Sequence, residues 1–174
     1  MKKSDIIYIP EKYGYYIDLN EDLELSDAFS ESLKQIDAID LETWKRIGTK
    51  AYAEGKWSIH KIIQHIIDWE RIWCYRVVLF ARQEGSIPVG HEENRMAEHS
   101  NADELPIEQL IGELRAVRLS SIAMFDSFNP RILQTNCKFH AYEMSVLAMG
   151  FNIIGHQLHH FKVIEERYLH LERP

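Results

Sequence analysis

Two histidines near the end of the chain, His156 and His160, lie four residues apart in a run that is typical of a long helix. Residues at this spacing share one helix face. Met149 and Ile153 occupy the same face, so both imidazoles are expected to point into the interior of the protein. A buried ring needs a polar partner, which is either a hydrogen-bonding core group or a divalent ion. The pair alone leaves this choice open, because a metal site needs a third ligand.

A third histidine, His65, belongs to another predicted helix. It follows Ile62 by three residues and precedes Trp69 by four, which places it beside the apolar stripe of that helix. His60 lies five residues before His65, about 140° around the helix, and is therefore expected on the surface. Three neutral imidazoles suit Zn²⁺, Ni²⁺ or another late divalent ion.

Three protein ligands leave coordination positions open, as in catalytic zinc sites, whereas structural zinc sites are usually closed by four. Water in an open position would have its pKa lowered towards roughly 7, and a thiol there would lose its proton. Two further residues are candidates to support such a site. Asp68 could orient a ligand ring or could be an exposed charge, and His159 is expected beside the site or against a neighbouring element. The sequence identifies no other catalytic residue.

The elements that must position these residues are helical. Apolar periodicity and capping residues predict an all-α fold, a four-helix bundle with long crossover connections. A short helix at 41–47, capped by Asp40, follows the first long helix. The connection at 84–106 could form a lid, hold a short helix around 93–98, or be a plain crossover. Residues 131–144 have some β-like character. The predicted long helices are Ser26–Ile39, Ser58–Arg82, Pro106–Phe128 and Ser145–Tyr168, and the three serines that begin them are the expected N-caps.

The length of 174 residues fits one domain, which we place at 26–170, with 1–25 as an N-terminal arm packed on the bundle. Residues 1–20 of this arm are expected to be irregular or extended. The net charge of −7 and the lack of Lys/Arg clusters disfavour binding to nucleic acid or anionic membranes. Cys74 and Cys137 form no CxxC motif, and neither a signal peptide nor a membrane span is recognisable. These features favour a cytoplasmic protein.

Two groups of residues resemble the signatures of a known family. Trp57-Ser58, followed by His65 and then by Asp68-Trp69-Glu70, is similar to the first signature of the DinB-like superfamily, which is named for DNA-damage-inducible proteins. Residues 155–160, a Gly-His-x-x-His-His run, and the Ile-x-Glu-Arg-Tyr-Leu ending at 164–169 resemble the second. The resemblance extends from about residue 28 to residue 169, and the order and separation of the two signatures make it fairly specific.

The resemblance implies an up-down-down-up four-helix bundle with one long crossover, and a divalent metal, zinc or nickel, held by His65, His156 and His160. It also implies a homodimer. Activities in the superfamily include transfer of low-molecular-weight thiols such as bacillithiol, mycothiol or glutathione, a thiol-dependent isomerisation, and metal-dependent hydrolysis. A DNA-repair role, taken from the family name, is disfavoured by the acidic charge.

Together, the residues and the resemblance predict a metal-dependent hydrolase or thiol S-transferase that acts on a small molecule. The alternative is a non-catalytic, metal-binding or structural homodimeric bundle. A pocket that connects the three histidines to solvent would favour the enzyme, whereas a sealed cluster would favour the alternative.

Overall fold

The computed structural model describes residues 1–7, 9–139 and 142–172. These residues form a helical bundle with one small antiparallel hairpin, which confirms the predicted fold class. None of the described helices is both long and apolar enough to cross a bilayer. The elements are α1 (Glu11–Asp18), α2 (Leu25–Asp37), α3 (Leu41–Ile47), α4 (Ile59–Ala81), α5 (Glu93–Glu98), α6 (Ile107–Asp126), α7 (Pro130–Leu133), β1 (Asn136–Phe139), β2 (Tyr142–Ser145) and α8 (Val146–Arg167).

Side-chain caps begin several of these helices where the sequence predicts them. Asp40, Ser58 and Ser145 each accept a hydrogen bond from the backbone N–H three residues later, which satisfies a donor that the first helical turn leaves free. The predicted cap at Ser26 is wrong, because α2 begins at Leu25 and its N-cap position is Glu24, two residues before Ser26.

The direction of three long helices follows from contacts at two levels of the bundle. Leu25, at the start of α2, lies against Gly150, near the start of α8, and Phe125, near the end of α6, lies against the same glycine. Two turns further along α2, the backbone carbonyl of Ser32 accepts a hydrogen bond from Gln157 Nε2 of α8 at 3.0 Å. Therefore α2 and α8 run parallel, and α6 runs in the opposite direction.

The fourth long helix, α4, runs parallel to α6. Glu70 of α4 forms an ion pair with Arg118 of α6. One turn later on both helices, Cys74 Sγ lies 3.2 Å from Ser121 Oγ. The connection between these two helices, residues 82–106, must therefore return along the length of the bundle. The topology is up-down-down-up with one long crossover, as the resemblance implied.

The interior of the bundle consists of two apolar clusters with a polar layer between them. One cluster joins the first halves of α2 and α8 to the last halves of α4 and α6, and the other joins the opposite ends. The side chains between the clusters are polar and at most 2% exposed: Ser32, Glu70, Arg118, Ser121 and Gln157. This layer crosses the bundle at the level of the histidines on α8.

Both long connections contain regular structure. Helix α5 occupies 93–98, as one of the three sequence interpretations proposed, and a short 3₁₀ turn follows at Ala102–Glu104. The β-like character of residues 131–144 corresponds to the hairpin of β1 and β2, in which Cys137 pairs with Met144.

The prediction of an irregular segment over residues 1–20 is wrong for residues 11–18, which form α1. This helix packs along α8 and is held there by tertiary contacts. Gly155 of α8 has no room for a side chain, because a Cβ atom at that position would lie 1.8 Å from the carbonyl oxygen of Tyr16. Asn20 Nδ2 donates a hydrogen bond to the carbonyl of Phe151 at 3.0 Å.

Candidate metal centre

Three histidines from two helices converge at the polar layer. His156 Nε2 lies 3.1 Å from His65 Nε2 and 3.1 Å from His160 Nε2. One ring nitrogen from each residue lies within 4.8 Å of the others. His65 and His156 are each 6% exposed, and His160 is partly buried. The structure therefore brings together the three residues that the sequence selected.

Local packing holds the His65 ring in position. Trp57 precedes His65 in the sequence and Trp69 follows it. The ring centroids of the two indoles lie 5.0 and 5.1 Å from the imidazole centroid. Trp69 is one turn after His65 on α4, so the helix itself places that contact. His156 and His160 are one turn apart on α8, which accounts for their centroid distance of 4.5 Å.

Burial keeps the three rings neutral. It lowers the pKa of His65 to about 4, with a smaller contribution from His159. It also lowers the pKa values of His156 and His160 well below 6.5, and in each case the neighbouring histidines lower them further. The charge of Arg118 contributes to the shift at His156. Neutral imidazoles are the form that ligates metal ions.

The geometry and donor set fit a divalent ion. Zinc–imidazole bonds of about 2.0–2.1 Å place neighbouring nitrogens around one tetrahedral or octahedral centre about 2.8–3.4 Å apart. The two 3.1 Å separations that involve His156 lie in this range. A ring nitrogen of a neutral imidazole carries either a proton or a lone pair. One cation can satisfy three converging lone pairs at once, so the trio can hold a metal.

Acid is expected to destabilise the metal-free protein below about pH 6.5. The folded pKa of His65 is about 4, whereas the same ring in the unfolded chain titrates near its ordinary value of about 6.5. Between these values the unfolded state binds more protons than the folded state. The free energy of unfolding therefore decreases as the pH falls below about 6.5, by up to about 1.4 kcal/mol per pH unit for each buried neutral histidine.

Urea unfolding of the chelator-treated protein at several pH values between about 7.5 and 5 measures this effect. The His65→Ala variant should show a shallower pH dependence than the wild type, because one of the three buried rings is absent. A denaturation midpoint that stays constant or rises on acidification would contradict the assignment of neutral buried rings.

Two cavities reach histidines of the cluster or its neighbour His159. One of about 580 Å³ reaches His156, and one of about 300 Å³ reaches His159 and His160. Asn94 of α5 borders both cavities. The walls of the larger cavity are formed by Lys12, Tyr13, Tyr16, Trp69, Trp73, Arg76, Gly90, His91, Glu92, Glu93 and Asn94. Two of the three histidines, His156 and His160, therefore border solvent-connected space.

The two candidate supporting residues differ in their placement. His159 packs against α1, with its Nδ1 3.2 Å from the hydroxyl of Tyr15. Asp68, for which the sequence leaves open an orienting role or an exposed charge, accepts a hydrogen bond at 2.9 Å from Gln64 Nε2, one turn earlier on α4. Burial raises the pKa of the Asp68 carboxyl.

The expected surface position of His60 is wrong. This residue is 7% exposed, and its Nδ1 lies 3.3 Å from the carbonyl oxygen of Ala102. The 3₁₀ turn at the end of the long crossover covers that side of α4. Helix geometry places His60 on a different face of α4 from His65. It gives no information about which connection covers that face.

Two features beside the cluster were not anticipated. Arg118 is fully buried, and its Nε and Nη2 donate to the two carboxylate oxygens of Glu70 at 2.9 and 2.8 Å. The sequence signal for this pair was the position of Arg118, four residues after Leu114 and three before Ser121, which places all three on one face of α6. The other feature is Tyr16 on α1, and no local sequence signal indicated it.

Tyr16 lies directly against the histidines. Its ring centroid is 5.3 Å from that of His156 and 5.6 Å from that of His159, in both cases edge to face. Burial raises the pKa of its phenol, and the nearby carboxylate of Glu93 raises it further. The hydroxyl is therefore protonated at neutral pH and can donate a hydrogen bond.

A four-helix bundle with a histidine cluster between two helices defines the class of this protein, and comparison with known proteins agrees. The model of the DinB superfamily matches residues 24–164, which is most of the chain. The chain therefore belongs to the DinB superfamily. No curated protein matches it.

Among solved structures, the chain is similar to YfiT from Bacillus subtilis. That protein is described as a probable metal-dependent hydrolase with an unusual four-helix bundle topology. The TM-score is 0.66 at 14% sequence identity, and the match covers 92% of this chain and 88% of YfiT. At this identity the similarity demonstrates a shared fold.

Proposed function

We propose that this protein is a metal-dependent enzyme in which His65, His156 and His160 hold one divalent ion, zinc or nickel. When bound there, the ion would lower the pKa of a water or a low-molecular-weight thiol at its open side. The activity would be hydrolysis or thiol S-transfer on a small molecule. The single observation that carries the proposal is the convergence of three neutral imidazoles, two of which, His156 and His160, each border a cavity.

The cavities favour an enzyme over a structural metal site. A structural ion is normally closed by four protein ligands, and these three histidines are the ligand group found among the described residues. The larger cavity, of about 580 Å³, is within the usual range for a small-molecule site. The name given to YfiT supports a metal-dependent hydrolase, and the resemblance of the two sequence signatures supports thiol transfer as well.

The chain's own residues would bind the substrate and hold the ligands. Aromatic rings from α1 and α4, including Tyr16 and Trp69, form walls on which an apolar substrate group can pack. Arg76 is 4% exposed and reaches the same cavity, where its guanidinium supplies positive charge. Trp57 and Trp69 keep the His65 ring in its orientation.

A thiol used in the reaction would have to come from solution. Burial raises the pKa of Cys74 to about 11 and that of Cys137 to about 12. Neither thiol ionises at neutral pH, so neither is suited to be a nucleophile. Any thiol chemistry is therefore assigned to a bound low-molecular-weight thiol and not to a cysteine of the chain.

Spectroscopy of the cobalt-substituted protein tests the open coordination position. Addition of glutathione or of a bacillithiol-type thiol should produce a sulfur-to-metal charge-transfer band if the thiol reaches the ion. Turnover is then measured with an electrophilic fluorogenic substrate plus thiol, and separately with an activated ester, using zinc-loaded, nickel-loaded and metal-free protein.

The expected result is metal-dependent turnover in one of the two assays, which is lost in His65→Ala and retained in His99→Ala. His99 is a matched control because it is exposed and lies outside the trio. A cobalt spectrum that does not respond to thiols or to small anions, combined with no turnover, would instead support the non-catalytic bundle.

A further inference from the structure

The N-terminal helix α1 is fitted to α8 immediately beside the histidines. Gly155, the residue before His156, provides the docking surface, since a Cβ atom there would lie 1.8 Å from Tyr16 O and 2.5 Å from its carbonyl carbon. These are backbone atoms, so a side chain at Gly155 could be accommodated only if α1 moved. The glycine is therefore needed for the contact between the two helices.

A second contact fixes the end of α1. Asn20 is 4% exposed, and its Nδ2 donates to the carbonyl of Phe151 at 3.0 Å. The same amide donates to the carbonyls of Tyr16 and Ile17, also at 3.0 Å. One side chain therefore links the last turn of α1 to α8 about one turn before His156.

These contacts place aromatic rings of α1 against histidines of α8. Tyr16 packs edge to face against His156 and His159, and the hydroxyl of Tyr15 lies 3.2 Å from His159 Nδ1. Tyr16 also lines the larger cavity, together with Lys12 and Tyr13 of the same helix. All of these α1 residues precede residue 24, where the match to the superfamily begins.

We propose that α1 is a wall of the metal centre, and that Tyr16 is the residue on it that limits access to the ion from the larger cavity. Tyr16 would thereby determine which ligands reach the open coordination position and would slow the loss of the ion. This inference rests on the proposed metal site. It adds a specificity-determining residue that precedes the part of the chain matched by the superfamily model.

The rate at which an excess of EDTA removes zinc from the loaded protein tests this proposal without an assay of activity. Tyr16→Ala should release zinc about tenfold faster or more, because the ring that covers His156 is absent while the backbone contacts of α1 remain. Gly155→Ala should also accelerate release, because it forces α1 away from α8. Circular dichroism and the unfolding midpoint establish that each variant is folded.

Matched controls come from elsewhere in the chain. Tyr75→Ala removes a tyrosine that is 59% exposed on α4, and Gly112→Ala adds a methyl group to α6 where nothing lies within 4 Å. Both should release zinc at the wild-type rate. If Gly155→Ala does not fold, Tyr16→Ala alone decides the question.

The outcomes separate this inference from the proposed function. Zinc bound by the wild type but released at the same rate from Tyr16→Ala would overturn the role of α1 and leave the metal site intact. A wild-type protein that binds neither zinc nor nickel would overturn both. Faster release from folded Tyr16→Ala, with unchanged controls, would support the proposal.

Discussion

Replacement of His156 by alanine should abolish stoichiometric binding of zinc or nickel. His156 is the central ligand, since its Nε2 lies 3.1 Å from the corresponding nitrogens of both His65 and His160. Its removal leaves two imidazoles, too few for a stable site. We expect a larger loss of affinity than the roughly 10–100-fold that follows removal of a ligand's hydrogen-bond partner. Metal analysis after equilibrium dialysis measures the change.

The His170→Ala variant is the control for this experiment, because His170 is exposed and lies outside the trio. It should keep the wild-type metal content. The far-ultraviolet circular dichroism of His156→Ala should match that of the wild type, so that metal loss is not confused with unfolding. Retention of a full equivalent of metal by folded His156→Ala would show that the ion is held elsewhere.

The second large effect is on stability. Replacement of Glu70 by alanine should lower the free energy of unfolding by about 3–5 kcal/mol, because it leaves the Arg118 guanidinium buried without its counter-charge. Arg118 is 0% exposed and Glu70 is 2% exposed, and Ser121 Oγ also donates to Glu70 at 2.6 Å. Chemical denaturation of wild type and variant, both without metal, gives the difference.

An exposed pair between the same two helices provides the comparison. Glu113→Ala removes the partner of Arg71, whose side chain is 52% exposed, and should cost no more than about 1 kcal/mol. A double variant in which Glu70 and Arg118 are both replaced by methionine should recover much of the stability lost in Glu70→Ala. If Glu70→Ala and Glu113→Ala have equal, small effects, the buried pair does not contribute as the structure indicates.

The histidine cluster could be predicted from the sequence because helix periodicity is local information. A spacing of four places His156 and His160 on one face, and the apolar neighbours of His65 show which side of α4 is buried. The same reasoning identified the caps of α4 and α8. The convergence of the two helices came from the family resemblance and from the preference of apolar faces for each other.

Features that depend on contacts between distant segments could not be predicted in this way. Tyr16 is near the site only because α1 docks on Gly155, which is 139 positions further along the chain. His60 is buried because a 3₁₀ turn from the crossover covers it. Asp68 and Glu70 are both acidic residues just after His65, and only the packing of α6 determines that Glu70 receives the buried arginine.

X-ray absorption at the metal edge of the protein, purified from cells grown with both zinc and nickel available, tests the metal centre most directly. The structure predicts about one ion per chain, with three imidazole nitrogens at about 2.0–2.1 Å and an exchangeable light ligand in the remaining position. Absence of a stoichiometric ion, or a coordination shell that contains sulfur from the chain or a fourth protein ligand, would contradict a three-histidine site with an open side.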